Sequence, residues 1–441
     1  MTAVRQSVTW RILKDSMFIG ACLAAVKLAG AWKVILMARV FGATDALDAY
    51  LVAFLLPAFL GETIAGSMTG ALIPSLIGMR ERTGRSAMKR LMSSIASITI
   101  VVLSAGAMLL ALCAPLILPL IGSGFGPAKR ALAQSLFYEL LPLIPMGGLS
   151  IVWRAALNAE ERFTAPALAP GATPLVILAA LSLSGAHPSI WLLAHCTVAG
   201  MALELVLLAI AIKHAGFPLR PRWFGWEPSL RGVAKDHLPL MAVAAIGHGN
   251  ILIDQSLAAL LGSGSVSALN YGTRLVTVIA GIAGGALSTA AQPKFSRMIA
   301  YADWSGLRKT VRTYVALVLL ASVPVTVLLI AVSPQLVRIL FLGGAFTASA
   351  AALVTAVQQF SMLQLPAFIL VSMLQRLISS LQANALLMRL AFAALIVNTF
   401  GDYILMRSIG LPGIALASTL VQYLSMAYLL IVVSRQIRRE A

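Results

Sequence analysis

Long apolar runs separated by short polar segments dominate the pattern of this chain. A membrane-spanning helix needs about 20 predominantly apolar residues, and runs of at least this order recur through most of the sequence. The pattern predicts twelve spans, at roughly 16–38, 46–78, 92–121, 131–157, 165–185, 189–212, 236–261, 266–293, 313–333, 347–375, 384–406 and 411–433. The expected fold class is therefore all-α, a polytopic membrane protein.

Composition and charge placement agree with this expectation. The 441 residues are 60% hydrophobic and 11% charged, whereas soluble domains carry about 25% charged residues. A net charge of +18 is typical of nucleic-acid binding. Twelve spans with both termini in the cytoplasm, however, place most of the 33 Lys and Arg residues in cytoplasmic loops, as the positive-inside rule requires. The excess charge therefore indicates topology, and no nucleic-acid partner is expected.

The two halves of the chain resemble each other at an offset of about 220 residues, half of the 441. ALDAY (46–50) and SALNY (267–271) open runs that end in IPS (73–75) and QPK (292–294), and LIPMGGLSIVWRAAL (143–157) mirrors QLPAFILVSMLQRLI (364–378). Six spans per copy insert the same way round, which predicts two six-helix lobes with a cavity between them. We expect lobes at 1–215 and 236–441 joined by a basic cytoplasmic linker at 216–235. Chance similarity of apolar segments is the alternative.

Two ammonium groups, Lys27 and Lys33, fall inside the first predicted span. An ionised side chain at a helix centre costs about 2.5–3.5 kcal/mol, so it usually faces a water-filled cavity or a partner. Lys27, Lys33 and Arg274 together suit an anionic headgroup such as a diphosphate. Asp48 and Glu62 come from another helix that would border the same cavity. Alternatively, Lys33 snorkels outward and Lys27 pairs with Asp48 or Glu62 for structure.

A second group of polar residues lies in the C-terminal half. Asp254 falls in the seventh predicted span, and Asn398 and Asp402 fall on one face of the eleventh, because they are four residues apart. With Ser418 they supply hard oxygen ligands suited to Na⁺ or a titrating proton, and Ile414 offers only its backbone carbonyl. The alternative is that Asp402 caps a helix end. A coupling Na⁺ or H⁺ is the one cofactor expected.

The remaining polar residues give weaker signals. The three cysteines lie far apart in apolar segments, typical of packing residues. GIAGGA (281–286) is typical of a close helix-packing face, and neither a nucleotide-binding loop nor a catalytic constellation is present. We therefore predict a transporter and not an enzyme. Glu139 and Glu204 are candidates for proton-carrying or structural roles, and Arg154 is a further cation that could border the cavity. His195, His237 and His248 show no metal-ligand spacing.

Several motifs, in order through the whole chain, resemble the MurJ (MviN) lipid II flippase family of the MOP exporter superfamily. They are ARVFGATDALDAYLVAFLLPAFL (38–60), ALIP (71–74), ALNAEERFTAPALAP (156–170), LGSGSVSALNYGTRLV (261–276) and LFLGGAFTASAA (340–351). The resemblance implies a monomeric flippase of the bacterial inner membrane that works by alternating access. Its partners would be an undecaprenyl-diphosphate-linked glycan, the lipid bilayer and possible glycan assembly proteins.

The resemblance also implies roles for individual residues. A central cationic cavity that binds the diphosphate would include Lys27, Lys33 and Arg274, with Asp48 on the family's acidic position in the second helix. A sodium site would be formed by Asp254, Asn398, Asp402, Ser418 and the backbone of Ile414.

Three departures from the family bear on the glycan. Lys27 and Lys33 stand where the family usually has Arg, and Gly61 and Glu62 replace an expected Arg pair. Twelve spans are predicted where lipid II flippases typically have fourteen. An exopolysaccharide repeat unit is therefore an alternative to lipid II. The sequence is also compatible with a cation-coupled multidrug exporter of the same superfamily, or with a non-transporting scaffold of a glycan assembly machine.

Overall fold

The described part of the chain is helical and contains no strand. The computed structural model describes the backbone of residues 2–185 and 188–440, and within these the side chains of all residues except 2–19, 65–67, 69–71, 228–229, 233–234, 236–240, 243 and 289. The first eight α-helices are α1 (Thr2–Phe41), α2 (Asp45–Thr83), α3 (Arg85–Ile121), α4 (Pro127–Leu140), α5 (Leu143–Ala159), α6 (Thr164–Leu168), α7 (Ala172–Leu183) and α8 (Ile190–His214). The remaining seven are α9 (Pro228–Ala258), α10 (Ser265–Ala300), α11 (Trp304–Phe341), α12 (Ala348–Met362), α13 (Leu365–Ser380), α14 (Asn384–Ile409) and α15 (Leu411–Glu440).

Most of the predicted spans coincide with these helices. Within the described residues, 10 helical segments are long and apolar enough to cross a membrane, and the pair α12–α13, bent by 44°, makes an eleventh if it counts as one span. The predicted span 236–261 falls on α9, several of whose side chains lie outside the described residues. The all-α polytopic fold is confirmed, and the count of twelve stays a prediction.

Helix boundaries recur between the two halves of the chain. Helices begin at residues 45 and 265, at 85 and 304, at 127 and 348, and at 190 and 411. Each half also has one broken helix, between α4 and α5 and between α12 and α13. Pro145 and Pro366 lie in the first turn of the second piece in each case, where proline's missing N–H costs little because first-turn amides have no helical partner. The recurrence supports an internal duplication.

The chain divides into two compact units. The first contains residues 1–41, 49–120 and 126–248, and the second contains residues 42–48, 121–125 and 249–441. A core around Leu76, Trp153 and Leu208 holds the first unit together, and a core around Phe295 and Leu374 the second.

This division differs from the predicted lobes, because its boundary lies within α9 and not in the segment 216–235. The first residues of that segment pack against the first unit. Phe217 is buried in the core of the first unit, and the hydroxyl of Ser93 on α3 accepts a hydrogen bond from the backbone N–H of Arg222 at 2.6 Å.

Candidate functional site

Four polar side chains meet in the second unit. Asn398 and Asp402 lie one turn apart on α14, Asp254 lies on α9 and Ser418 lies on α15. The Nδ2 of Asn398 donates to Asp254 Oδ1 at 2.9 Å and to Asp402 Oδ2 at 2.6 Å. The hydroxyl of Ser418 donates to Asp254 Oδ2 at 3.4 Å. The structure thus brings together the four side chains that the sequence grouped. We call them the carboxylate cluster.

The carboxylate cluster is electrostatically incomplete, and its two α14 residues are deeply buried while Asp254 and Ser418 are half-buried. Asp402 is fully buried and Asn398 nearly so, and Asp402 Oδ1 has no hydrogen-bond partner among the described residues. Two carboxylates that share one amide donor in a low-dielectric interior repel each other strongly, because buried charge needs a compensating partner. The arrangement is favourable only with a bound cation or with a proton on one carboxylate.

The donor set fits Na⁺. Carboxylate, amide and hydroxyl oxygens are hard ligands of the kind that alkali and alkaline-earth cations take. The Asn398 amide now turns its NH₂ group toward both carboxylates, and half a turn about its terminal bond would present its oxygen instead. Ile414 is fully buried one turn before Ser418 on α15. No contact between Ile414 and the cluster is described, so its carbonyl as a ligand stays a prediction.

The cationic candidates lie on three helices. Lys27 on α1, Glu62 on α2 and Arg274 on α10 are exposed, and Lys33 on α1 is half-buried. Lys27 makes no ion pair with any described residue, so the alternative in which it pairs with Asp48 or Glu62 is not what the structure shows. Lys27, Lys33 and Glu62 belong to the first unit and Arg274 to the second, and a shared diphosphate site stays a prediction.

Asp48 has a structural role that was not expected. It is fully buried, and its Oδ2 accepts the backbone N–H of Gly264 at 2.7 Å. Its Oδ1 accepts the backbone N–H of Ser267 at 2.8 Å and also the Ser267 hydroxyl. The first N–H groups of a helix lack helical partners and attract negative charge, so Asp48 caps α10. Both carboxylate oxygens of Asp48 accept hydrogen bonds from the start of α10, whereas the sequence led us to expect a residue of the cavity wall near the headgroup.

The weaker candidates are scattered. The Oε1 of buried Glu204 on α8 accepts the hydroxyl of Ser150 on α5 at 2.5 Å, and Glu139 Oε1 lies 3.6 Å from His195 Nε2. Arg154 is half-buried, and its Nε has no hydrogen-bond partner among the described residues. His248 is half-buried on α9, and the side chain of His237 lies outside the described residues.

Sequence reasoning missed Ser150 and Ser267 as partners of these acidic residues. No local pattern marks either serine, because each contact joins residues far apart in the chain. Within the described residues, no group of three or more His, Cys, Asp or Glu side chains is arranged to hold a metal, so an ion at the carboxylate cluster would rely on neutral oxygens as well.

A family model described as Lipid II flippase MurJ matches residues 37–440 of the chain. The chain belongs to the MurJ family. A probable lipid II flippase MurJ of Rhizobium tropici is 25% identical over 434 residues, which are 96% of this chain and 81% of the relative.

Solved structures agree with the fold. A lipid II flippase MurJ in an inward closed conformation superposes with a TM-score of 0.81 at 21% identity, covering 95% of this chain and 87% of that one. An inward-facing multidrug resistance MATE family transporter of the MOP superfamily gives a TM-score of 0.77 at 13% identity, covering 94% and 95%.

Membership of the MurJ family confirms several expectations. The protein is a multi-pass protein of the bacterial inner membrane with a fold shared by MurJ and MATE transporters, and it is a transporter and not an enzyme. The family acts on a lipid-linked glycan.

Proposed function

We propose that this MurJ family member moves an undecaprenyl-diphosphate-linked glycan across the inner membrane by alternating access. The observation that carries this proposal is the family match over residues 37–440, which covers nearly all of the chain. The fold alone would not choose a substrate, because MATE multidrug transporters share it.

The cations within the membrane-spanning helices would hold the diphosphate. Lys27 is exposed and without an ion pair among described residues, although it lies in an apolar span of α1. Such a charge is stable only beside water, a headgroup or an anionic ligand. Lys27 and Lys33 would act as point charges, and Arg274 would add the forked guanidinium geometry that matches phosphate oxygens. A multidrug exporter for cationic compounds has no use for three cations at its binding site.

Glu62 bears on which glycan is carried. It is exposed on α2, where the family pattern leads us to expect one of two arginines. A carboxylate near a diphosphate site weakens binding of the anion, unless the glycan itself supplies a compensating contact. This supports an exopolysaccharide repeat unit as an alternative to lipid II as the cargo. Glycan assembly proteins as partners and a monomeric state remain expectations from the resemblance.

The carboxylate cluster would couple transport to an ion. Asp254 and Asp402 would hold Na⁺ with Ser418 and the amide oxygen of Asn398, and the ion would supply the positive charge that two buried carboxylates lack. Because the cluster joins α9, α14 and α15, occupancy would favour the arrangement of these three helices in which the ligands converge. A cation that binds one conformation better than another shifts the population toward it.

Complementation of a conditional lipid II flippase depletion tests the cargo. Growth supported by this chain would establish lipid II transport. If the chain is inserted and expressed but growth fails, deletion of its gene in the native host should remove a surface polysaccharide. The proposal would be contradicted if the chain does not restore growth and if deletion of its gene removes no surface polysaccharide and causes no glycan lipid to accumulate in the inner leaflet. That result would favour the scaffold or the multidrug exporter.

A further inference from the structure

A basic pocket lies on the first unit and contains none of the residues of the carboxylate cluster. It has a volume of about 610 Å³ and lies between the start of α3, the end of α8 and the segment that follows α8. Five cations line it, namely Lys89, Arg90, Lys213, Arg220 and Arg222. No carboxylate is among its lining residues. We call it the basic pocket.

The wall of the basic pocket is fixed in place. The Ser93 hydroxyl accepts the backbone N–H of Arg222 at 2.6 Å, and the Ser94 hydroxyl accepts the backbone N–H of Phe224 at 3.3 Å. The ring of buried Phe217 lies under the Lys89 ammonium, 5.8 Å from the ring centroid. The segment after α8 is therefore held against α3, which fixes the backbone positions of the residues that carry the cations.

The cations of the basic pocket lack counter-charges. None of the five forms an ion pair with a described residue. Neighbouring arginines do have such partners, because Arg85 pairs with Glu160 at 2.8 Å and Arg80 lies 3.8 Å from Glu161. The positive end of the α3 dipole adds to the positive potential. Like charges gathered without acids around a concave surface favour an anionic ligand.

Exposed aromatic residues beside the basic pocket indicate a lipid source for that anion. Trp223 and Trp226 are 46% and 58% exposed and contact each other edge to face at 5.5 Å, and Phe224 between them is 45% exposed. Tryptophan favours the headgroup level of a membrane, which the predicted topology places at the cytoplasmic end of α3 and α8. A site for a soluble phosphate would not need exposed tryptophans at its rim.

The second unit has its own pocket lined by arginines, at the place that corresponds to the basic pocket in the sequence repeat. Its volume is about 420 Å³, and Arg308, Arg312 and Arg438 line it together with apolar side chains of α11 and α15. Arg308 is the fifth residue of α11, as Lys89 is the fifth of α3, and Arg438 lies near the end of α15, as Lys213 does in α8. Two copies of a repeat that both keep a basic pocket at this position indicate a shared purpose.

We propose that the basic pocket binds the phosphate headgroup of an anionic phospholipid at the membrane surface. The cations contact the phosphodiester, Trp223 and Trp226 lie at headgroup level, and the acyl chains stay in the bilayer. The site shares no residue with the one proposed for the transported lipid, so it holds even if the cargo is not a diphosphate lipid.

Lipid binding to the purified full chain tests this. Native mass spectrometry would count bound phosphatidylglycerol against phosphatidylcholine over a range of lipid concentrations. The Lys89→Gln/Arg222→Gln variant should bind phosphatidylglycerol roughly thirtyfold more weakly, since each basic residue near a membrane surface contributes about a fivefold factor. Phosphatidylcholine binding should not change. The Lys89→Arg/Lys213→Arg variant, which keeps both charges, should bind like the parent.

A matched control is Arg231→Gln/Lys235→Gln, which removes two exposed cations of α9 that do not line the pocket. Equal loss in this control would mean that general surface charge attracts the lipid, and parental affinity in Lys89→Gln/Arg222→Gln would also overturn the proposal. Displacement of the lipid by an equal concentration of soluble glycerol phosphate would show that the site takes free phosphate. Displacement of bound phosphatidylglycerol by a much lower concentration of undecaprenyl diphosphate would reassign the site to the cargo.

Discussion

The carboxylate of Asp48 accepts the backbone N–H of Gly264 at 2.7 Å, across 216 residues of sequence. The contact joins the segment 42–48 to the start of α10 within the second unit. Gly264 adopts a left-handed conformation with φ of 78°, and a Cβ on it would lie 2.6 Å from the carbonyl oxygen of Ala43. A buried acid and a glycine therefore fix this junction together, one by charge and the other by lack of a side chain.

Asp48→Ala should destabilise the protein without touching a ligand. It leaves the backbone N–H groups of Gly264 and Ser267 buried without acceptors, and each such loss costs about 1–3 kcal/mol. We expect the melting temperature of the detergent-solubilised protein to fall by several degrees. Asp48→Asn keeps one acceptor oxygen and should lose less, and Ser267→Ala keeps the backbone bond and should lose least. Equal stability of all three variants would contradict the capping role.

The order of the helices was largely predictable, because apolar runs of span length are local features of sequence. Several helices extend beyond the predicted spans, as α11 does, which covers residues 304–341 where 313–333 was predicted. The breaks at 141–142 and 363–364 were not predicted, since each lies inside a segment expected to be one continuous span, 131–157 or 347–375. A proline near a helix start is compatible with a helix, so Pro145 and Pro366 gave no clear signal. The role of Asp48 was not predictable either, because its partners Gly264 and Ser267 come from a distant segment.

The carboxylate cluster predicts a specific response to Na⁺. The parent should melt at a higher temperature in NaCl than in KCl of equal ionic strength, since a ligand at 100 times its Kd stabilises by about 2.7 kcal/mol. Asp402→Asn should abolish the difference. In KCl this variant should melt at or above the parent's temperature, because it removes one of two buried like charges.

Glu440→Gln is the matched control for Asp402→Asn, since it removes an exposed carboxylate near the end of α15 and should keep the Na⁺ response. A parent that melts equally in both salts would rule out the Na⁺ site. Stabilisation that follows pH instead of Na⁺ would assign the site to a proton.

The composition of this cluster was partly predictable from the sequence. Asn398 and Asp402 are four residues apart, which places them on one helix face whatever the rest of the fold does. Their contact with Asp254 and Ser418 depends on how α9, α14 and α15 pack against one another. The residues alone did not determine this packing, and only the family resemblance implied that the four side chains form one site. No local spacing predicts whether the cations proposed to bind the diphosphate lie close together, because Lys27 and Arg274 come from different units.

Close packing of α10 against α12 gives a stability prediction with an internal control. A Cβ on Gly272 would lie 2.6 Å from Val357 Cγ1, whereas nothing lies within 4 Å of the same position on Gly281. Gly272→Ala should therefore lower the melting temperature. Gly281→Ala should leave it unchanged or raise it, because alanine in a helix interior is favoured by about 0.5–1 kcal/mol. The reverse order would contradict the packing.

The comparison of Gly272 with Gly281 also bears on the prediction that GIAGGA (281–286) forms a close helix-packing face. Of its glycines, Gly284 packs against Ser372 and Phe368, while a Cβ on Gly281 or Gly285 would meet no atom within 4 Å. Among the glycines of α10, the one whose Cβ would lie nearest to another atom is Gly272, outside the motif. A stripe of small residues in the sequence does not reveal which member faces a helix.

Neutralising the cations proposed to bind the diphosphate should stop transport and spare folding. Lys27→Ala and Arg274→Ala should each fail to support the glycan pathway that the parent supports, with membrane levels and melting temperature unchanged. Lys309→Gln, which alters an exposed cation at the start of α11, should behave like the parent. Full activity of Lys27→Ala would contradict the diphosphate role, and so would equal loss in Lys309→Gln.

Glu62 is the residue through which cargo choice can be tested directly. A family-like double substitution, Gly61→Arg/Glu62→Arg, should improve growth on lipid II flippase depletion relative to the parent, because it exchanges a negative charge near the proposed cavity for two positive ones. The backbone leaves space for it, since nothing lies within 4 Å of a Cβ on Gly61. Glu62→Gln, which removes only the repulsion, should give an intermediate effect.

Glu81→Arg makes at the exposed C-terminal end of α2 the same two-unit charge change that Glu62→Arg makes within the double variant, and it should leave growth at the parental level. A parent that already complements fully, with no gain in the double variant, would show that Glu62 does not discriminate against lipid II. Gain in Glu81→Arg equal to that of the double variant would show that overall charge, and not the position of Glu62, sets the response.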